Sequence, residues 1–441
     1  MRNHLSNAAY GVLDYAAYPV GMLLAAPVLL KHLGVAQYGV WVVAAAAVST
    51  GSIIASGFGD ANIQYVATAR SHGDTETLLN AVRSMMGINI ALGSALALLT
   101  WVLAPLVCRH VVPSDGNLQT ACLWSLRIAG VLMLVRTIES VCISTQRAFE
   151  RYGAAVRISI AARMLALAAA VALTLLGLGV TGIMVATGAL MLLGTAAQLV
   201  RLKHHLGATS LLPRFDRRAT AALWSFGAFS SIQAVSGVVF SQADRLILGI
   251  SLGAASVTAY ALCVQMAQPI YGVASAALHF LFPYLAARHA VASPAVLKKA
   301  IFTAFAVNLL LVSAGTAAVL LFGGRLLHAW VGEAVAQSAS TVLTPIVWSF
   351  ALLGASVTGY YAMLAFGRVR AVTWINLGGG AAMLLMMAWL LPRTGIHGVA
   401  MARLAYGPIA LLMYVPLLRV LHVNATASWP LSGIDPVCED A

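Results

Sequence analysis

Six ionisable residues interrupt stretches of sequence that are otherwise almost wholly apolar: Asp14, Arg127, Arg136, Glu139, Arg163 and Arg403. A charge inside an apolar run of membrane length is costly to keep there and is a candidate for function by default. Four of the six are arginines. A guanidinium presents a planar fork of N–H donors that matches two oxygens of a phosphate or carboxylate, so arginines around a shared cavity suit an anion. Arg127, Arg136, Arg163 and Arg403 are therefore candidate substrate-binding residues. At a rise of ~1.5 Å per residue, Arg127 and Arg403 fall about 10 Å below the outer ends of their runs and Arg136 and Arg163 about 10 Å from the inner ends. An anion would meet cations at both depths. Glu139 follows Arg136 by three positions, the spacing of a same-face pair, so these two either serve the site or neutralise each other. Arg127 and Arg136 are nine apart, about 180° around a helix, and only one of them points straight into any single cavity. Asp14 and Glu139 are the candidate ion-coupling carboxylates.

Polar side chains also fall in stripes. Asn7, Tyr10, Asp14, Tyr18 and Gly21 step by three and four, as do Gln233, Ser236, Phe240 and Asp244, and then Gln265, Gln268, Ser275 and His279. In lipid such faces turn inward, where amides, hydroxyls and phenols either line a site suited to sugars or join helices to one another. Tyr10, Tyr18, Gln233, Gln265 and Gln268 join the candidate substrate-binding set. Pro19, Pro27, Pro269 and Pro345 are expected to bend their helices and free carbonyls at such a site.

The elements that must position these residues follow from composition. Of 441 residues 61% are hydrophobic and only 9% charged, against about 25% charged in soluble domains. Twelve runs are long enough to cross ~30 Å of hydrocarbon as helices: roughly 8–30, 40–59, 84–107, 119–143, 155–177, 180–200, 222–243, 256–282, 301–322, 341–363, 372–391 and 397–421. The expected fold is an all-α integral membrane protein of about twelve transmembrane helices in two six-helix lobes around a central cavity. The lobes are residues 1–200 and 222–421, joined by a linker, 201–221, that carries five Lys or Arg residues, with a short tail over 422–441. With both termini cytoplasmic, seventeen loop Lys and Arg residues lie inside and five outside, the latter including Arg245, which is the bias that sets topology. His204 and His205 of the linker read as a solvated face.

Several classes are excluded. The net charge of +13 is spread over alternate loops, as topology requires, which argues against nucleic acid. The five cysteines have no paired spacing, so neither a disulfide framework nor a metal site is expected. None of the four lysines follows a glycine, so no phosphate-binding loop and no ATP-hydrolysing domain are expected, and no cofactor is. The amino-terminal run outlasts a signal-peptide core and reads as a retained first span.

The two halves resemble each other. LGVAQYGVW (Leu33–Trp41) returns 219 residues later as LGAASVTAY (Leu252–Tyr260), and AFERYGA (Ala148–Ala154) returns after 217 as AFGRVRA (Ala365–Ala371). TGIMVA (Thr181–Ala186) has a counterpart in TGIHGVA (Thr394–Ala400). Parallel six-span repeats commonly build transporters that rock two lobes about a central site.

The LGxxxYG turn, Gly59-Asp60 with Gln64-Tyr65-Val66-Ala67, the run Asp244–Gly249 and the G-I-x-G before the last span resemble Wzx-type polysaccharide flippases of the multidrug/oligosaccharidyl-lipid/polysaccharide exporter superfamily. The resemblance covers nearly the whole chain. It implies a non-enzymatic secondary transporter of polyprenyl-diphosphate-linked oligosaccharide repeat units across a bacterial inner membrane, for exopolysaccharide, capsule or O-antigen assembly. Membrane lipids, the lipid-linked substrate, a polymerase and export machinery would be its partners. A drug or metabolite antiporter of the same superfamily is the competing reading, and its cationic cargo would call for an acidic cavity. A membrane polymerase or ligase would need a larger external loop than the eleven residues of Cys108–Leu118.

Overall fold

The computed structural model describes the chain except residues 1, 72, 113–115, 150–151, 215–236, 238, 279–280, 289–292 and 427–441, and except some side chains inside helices, among them those of residues 2–17. Among the described residues every regular element is helical. Lipid offers no partner to a peptide group, so a chain this apolar must satisfy its backbone within each span, which a helix does. The helices are α1 (Arg2–Ser71), α2 (Thr75–Val111), α3 (Gly116–Ala148), α4 (Tyr152–Leu175), α5 (Val180–His205), α6 (Asp244–Leu278), α7 (Leu281–Arg288), α8 (Pro294–Val331), α9 (Glu333–Ala365), α10 (Val369–Leu404), α11 (Tyr406–Leu411) and α12 (Tyr414–Thr426). A single π-helical turn, Val239–Ala243, leads into α6.

Eight of the described helices are long and apolar enough to cross a membrane. The 33-residue α3 is not among them and carries Arg127, Arg136 and Glu139 along its length. It packs against α1, α2 and α5, which keeps Arg136 and Glu139 within the bundle.

Three of the long helices are interrupted, at Gly34 in α1, Gly253 in α6 and Gly395 in α10. Gly34 has φ 77° and ψ 165°, and Gly253 has φ 81° and ψ 175°. A residue with a Cβ is strained at such φ, so the Leu-Gly pair is what allows one apolar run to turn back as the next. The two glycines are 219 positions apart, the spacing of the LG repeat. The second repeat also marks matching corners: α3 ends at Ala148 and α4 begins at Tyr152, while α9 ends at Ala365 and α10 begins at Val369. The third match does not hold residue by residue. Gly395 is itself the break, whereas Gly182 lies inside α5, whose N-cap is Gly179. Helix runs on through Pro27, Pro269 and Pro345, so none of these prolines ends its helix.

The halves meet near the two glycine breaks. Thr258 Oγ1 donates to Val35 O at 2.7 Å, Gln265 Nε2 to Tyr38 Oη at 3.1 Å, and Trp330 Nε1 to Leu23 O at 2.9 Å. A core containing Leu29, Val43, Leu248 and Tyr260 is continuous across this seam. The start of the linker docks on the first half: Arg83 donates through Nε and Nη2 to Ser210 O at 3.2 and 3.0 Å, and Ser84 Oγ donates to Arg214 O at 3.0 Å. His205 is not a solvated face, since its ring packs edge-on against Phe149 at 4.8 Å.

Candidate functional site

Three adjoining cavities run from the seam into the first half. The largest, about 480 Å³, lies between the halves. Tyr18, Trp41 and Ser49 form its first-half wall, and Gln242, Arg245, Gln265, Gln268, Tyr271, Phe350 and Arg403 form the other. A second cavity of about 180 Å³ shares Tyr18, Trp41, Ala45 and Ser49 with it and adds Arg136 and Arg163. A third, about 230 Å³, shares those two arginines and adds Glu139, Arg147, Ser52 and Ser159.

The first-half cluster is built on α3 and α4. Arg136 Nη1 lies 2.5 Å from Glu139 Oε2, as their three-residue spacing within one helix permits. The other carboxylate oxygen accepts from Ser159 Oγ at 2.7 Å, and Arg136 Nε donates to Ser52 Oγ at 3.3 Å. Arg163, one turn beyond Ser159, donates through Nη2 to Ser159 Oγ at 3.1 Å and through Nε to Ser159 O at 3.3 Å. Arg136 and Glu139 thus pair with each other, and the pair borders a cavity. Ser159 links that pair to Arg163, a role no spacing in the sequence announces.

Arg127 lies elsewhere. Its guanidinium sits over the rings of Trp101 at 5.0 Å and Trp124 at 5.4 Å, both exposed on the outside of the bundle, and Trp101 Nε1 donates to Arg127 O. It lines none of the three cavities, in keeping with the half-turn that separates it from Arg136.

Arg403 borders the central cavity, but its charge is met within the protein. Its Nη1 pairs with Asp244 Oδ2, and both side chains are almost completely buried, at 1% and 0% exposure. Tyr260 donates to the same carboxylate oxygen at 2.6 Å, the Arg245 N–H donates to the other at 2.8 Å, and the Arg403 guanidinium lies over the Phe350 ring at 4.6 Å. The stripe containing Asp244 predicts a wet face for it; instead it is sealed in this network. Gly237, Ser241 and Arg245, at steps of four, line the cavity with Gln242, one position on from the stripe that ends at Asp244.

Arg245, expected among the external loop residues, is thus a cavity residue. The signal for it is the Asp244–Gly249 run, which begins just beyond the apolar stretch 222–243 and continues the same helix. Tyr18, Gln265 and Gln268 line the central cavity. The side chains of Asp14, Tyr10 and Gln233 lie outside the described residues. No grouping of three or more His, Cys, Asp or Glu residues that could hold a metal occurs among the described residues.

Comparison with solved structures gives the fold a class. The chain superposes on an inward-facing multidrug resistance MATE family transporter of the MOP superfamily with a TM-score of 0.76 at 14% identity, over 95% of this chain and 100% of that one. The lipid II flippase MurJ in an inward closed conformation gives 0.74 at 11% identity, over 94% of this chain and 87% of that one. A MOP superfamily transporter from Pyrococcus furiosus, described as having a binding pocket of reverse polarity, gives 0.59 at 15% identity, over 94% and 96%. No curated protein matches. These likenesses show a shared fold, a multi-pass bundle of apolar helices, here with a cavity lined by arginines. The polysaccharide biosynthesis protein family matches residues 7–289, and the chain belongs to it.

Proposed function

We propose that this protein moves a polyprenyl-diphosphate-linked oligosaccharide from the inner to the outer leaflet of a bacterial inner membrane, by alternating access between two six-helix lobes, for assembly of an exopolysaccharide, capsule or O-antigen. One observation carries the reading: among the described residues that line the connected cavities there are five arginines, Arg136, Arg147, Arg163, Arg245 and Arg403, and one carboxylate, Glu139. Phosphate oxygens are matched by guanidinium donors, whereas a cationic drug would meet net repulsion, which disfavours the antiporter reading. Tyr18, Gln265 and Gln268 add the polar and aromatic lining that a sugar needs.

Both termini are cytoplasmic in this reading, and the linker 201–221 is a cytoplasmic hinge. The interior-negative potential favours outward movement of the diphosphate by about 2.3 kcal/mol per charge per 100 mV, so no ATP is required. Glu139 is held by Arg136 and Ser159, which leaves Asp14 as the better candidate for ion coupling. The lipid-linked substrate passes to a polymerase and export machinery on the outer side.

The test is Arg163→Ala, with Arg163→Lys as the charge-restoring control. The expected result is normal protein abundance, loss of surface polysaccharide and accumulation of lipid-linked repeat units in the inner leaflet, with partial recovery by Lys. Normal export from Arg163→Ala and Arg136→Ala alike overturns the proposal.

A further inference from the structure

Thr120, Trp124, Arg127 and Val131 follow one another along α3 at steps of four, three and four, and so share one face of it. That face looks out of the bundle: Thr120 is exposed, as are Trp124 and Val131, at 48% and 45%. Beside it on α2 stand Leu98, Trp101 and Val102, all exposed as well. α2 is an apolar helix of membrane length, so the outer surface that the two helices share is covered by lipid. Arg127 is half-buried in the middle of that surface.

The protein holds this cation without neutralising it. Indole rings bracket the guanidinium, Trp101 of α2 at 5.0 Å and Trp124 of its own helix at 5.4 Å. Trp101 is fixed in place twice over. Its Nε1 donates to Arg127 O at 3.0 Å, and its ring packs so close to Gly130 that a Cβ there would lie 3.3 Å from it. The two cation–π contacts offset part of the cost of the charge. Arg136 and Arg403 each have a carboxylate partner, and Arg127 has none among the described residues. A unit of positive charge is left for the surrounding lipid to balance.

Its depth suits a headgroup. Arg127 lies 11 residues from the Gly116 end of α3, and Trp101 lies 10 residues from the adjoining Val111 end of α2. At a rise of ~1.5 Å per residue the 37 residues of α2 span about 55 Å, so roughly 12 Å projects beyond each face of a ~30 Å hydrocarbon core. The Arg127 Cα then sits only about 4 Å inside that core. Helical side chains lean toward the N-terminus, here the Gly116 end, and Trp124 lies one turn nearer that end, so the guanidinium reaches for the interface. Tryptophan itself collects at that level.

We propose that Arg127, Trp101 and Trp124 form a binding site for the phosphate of an anionic phospholipid, in the leaflet at the end marked by Val111 and Gly116, which is the outer one in the proposed topology. A monoanionic phosphodiester balances one guanidinium and accepts from its forked donors, with the glycerol and acyl chains against the indoles and the apolar surface around Leu98 and Val102. A zwitterionic lipid brings an ammonium into the same space, and a diphosphate brings more negative charge than one cation meets. Arg127 lines none of the three cavities, so the site stands whatever the cargo is.

The test is native mass spectrometry of the full chain in detergent micelles, titrated with phosphatidylglycerol or phosphatidylcholine. Phosphatidylglycerol is expected to bind about tenfold more tightly, the scale of one charge-assisted hydrogen bond. Arg127→Gln and Arg127→Met each remove most of that preference while phosphatidylcholine binding and the melting temperature hold, and Arg127→Lys, which lacks the fork, keeps part of it. Arg201→Gln, which removes an exposed charge from α5, leaves the preference unchanged. Equal binding of the two lipids, a preference that survives in Arg127→Gln or Arg127→Met, or one that falls as far in Arg201→Gln overturns the site. Millimolar inorganic phosphate is expected to leave the bound lipid in place, as is farnesyl diphosphate. Displacement by phosphate would make this a site for the free anion, and displacement by farnesyl diphosphate through Arg127 would make it part of the cargo path; either result overturns the phospholipid site.

Discussion

Gly39 is the position at which a single carbon atom should separate the two halves. A Cβ there would lie 2.0 Å from Ala254 O, 2.5 Å from Ala254 C and 2.9 Å from its Cα. Across the same seam Thr258 Oγ1 donates to Val35 O at 2.7 Å. At the repeat offset of 219, Val35 corresponds to Ala254 and Gly39 to Thr258, so the contact is reciprocal, as at a two-fold interface. Gly39→Ala must move the carbonyl away by about 1.2 Å to restore an ordinary contact. Overpacking costs typically about 1–3 kcal/mol, and since the obstructing atoms are backbone, no rotamer change relieves it and the upper end applies. About 3 kcal/mol is more than a hundredfold in the equilibrium between this closed seam and a form parted at it. Spin labels on Cys substituted at the exposed Ala36 and Ala255, in a background lacking the native cysteines, would report the seam by pulsed electron resonance. The expected result is a longer or bimodal distance for Gly39→Ala and a smaller shift for Thr258→Val, which loses one hydrogen bond of about 1 kcal/mol. An unchanged distance distribution with unchanged melting temperature in Gly39→Ala would refute the argument.

Asp244→Leu or Arg403→Met alone should destabilise the protein by about 3–5 kcal/mol, because each strands a buried charge, while the double variant recovers most of the loss; melting of the three purified proteins measures this, and single variants as stable as the parent would contradict a buried pair. Asp14→Asn should abolish the response of transport to an imposed proton or sodium gradient, and a response that persists unchanged makes Asp14 structural. A reporter inserted at Asp115 should be periplasmic and one at His205 cytoplasmic, and if both report one side, the twelve-span topology is wrong.

The sequence by itself determined what local physics controls. An apolar run in lipid has one backbone solution, so the helical class followed from composition. The corners followed from residues whose effect is local: a Leu-Gly pair that permits positive φ at Gly34 and Gly253, and the matched ends at Ala148 and Ala365. The Arg136–Glu139 pair was legible because its partners share one helix face. Tertiary structure alone decided which charges remain available to a ligand. Arg403 finds Asp244 159 positions away, and Arg127 rests on Trp101 from a neighbouring helix; both depend on how helices cross, which residue spacing does not encode. Arg245 lines the cavity while its neighbour Asp244 is sealed against Arg403, a difference of a single residue that hydrophobic periodicity is too coarse to register.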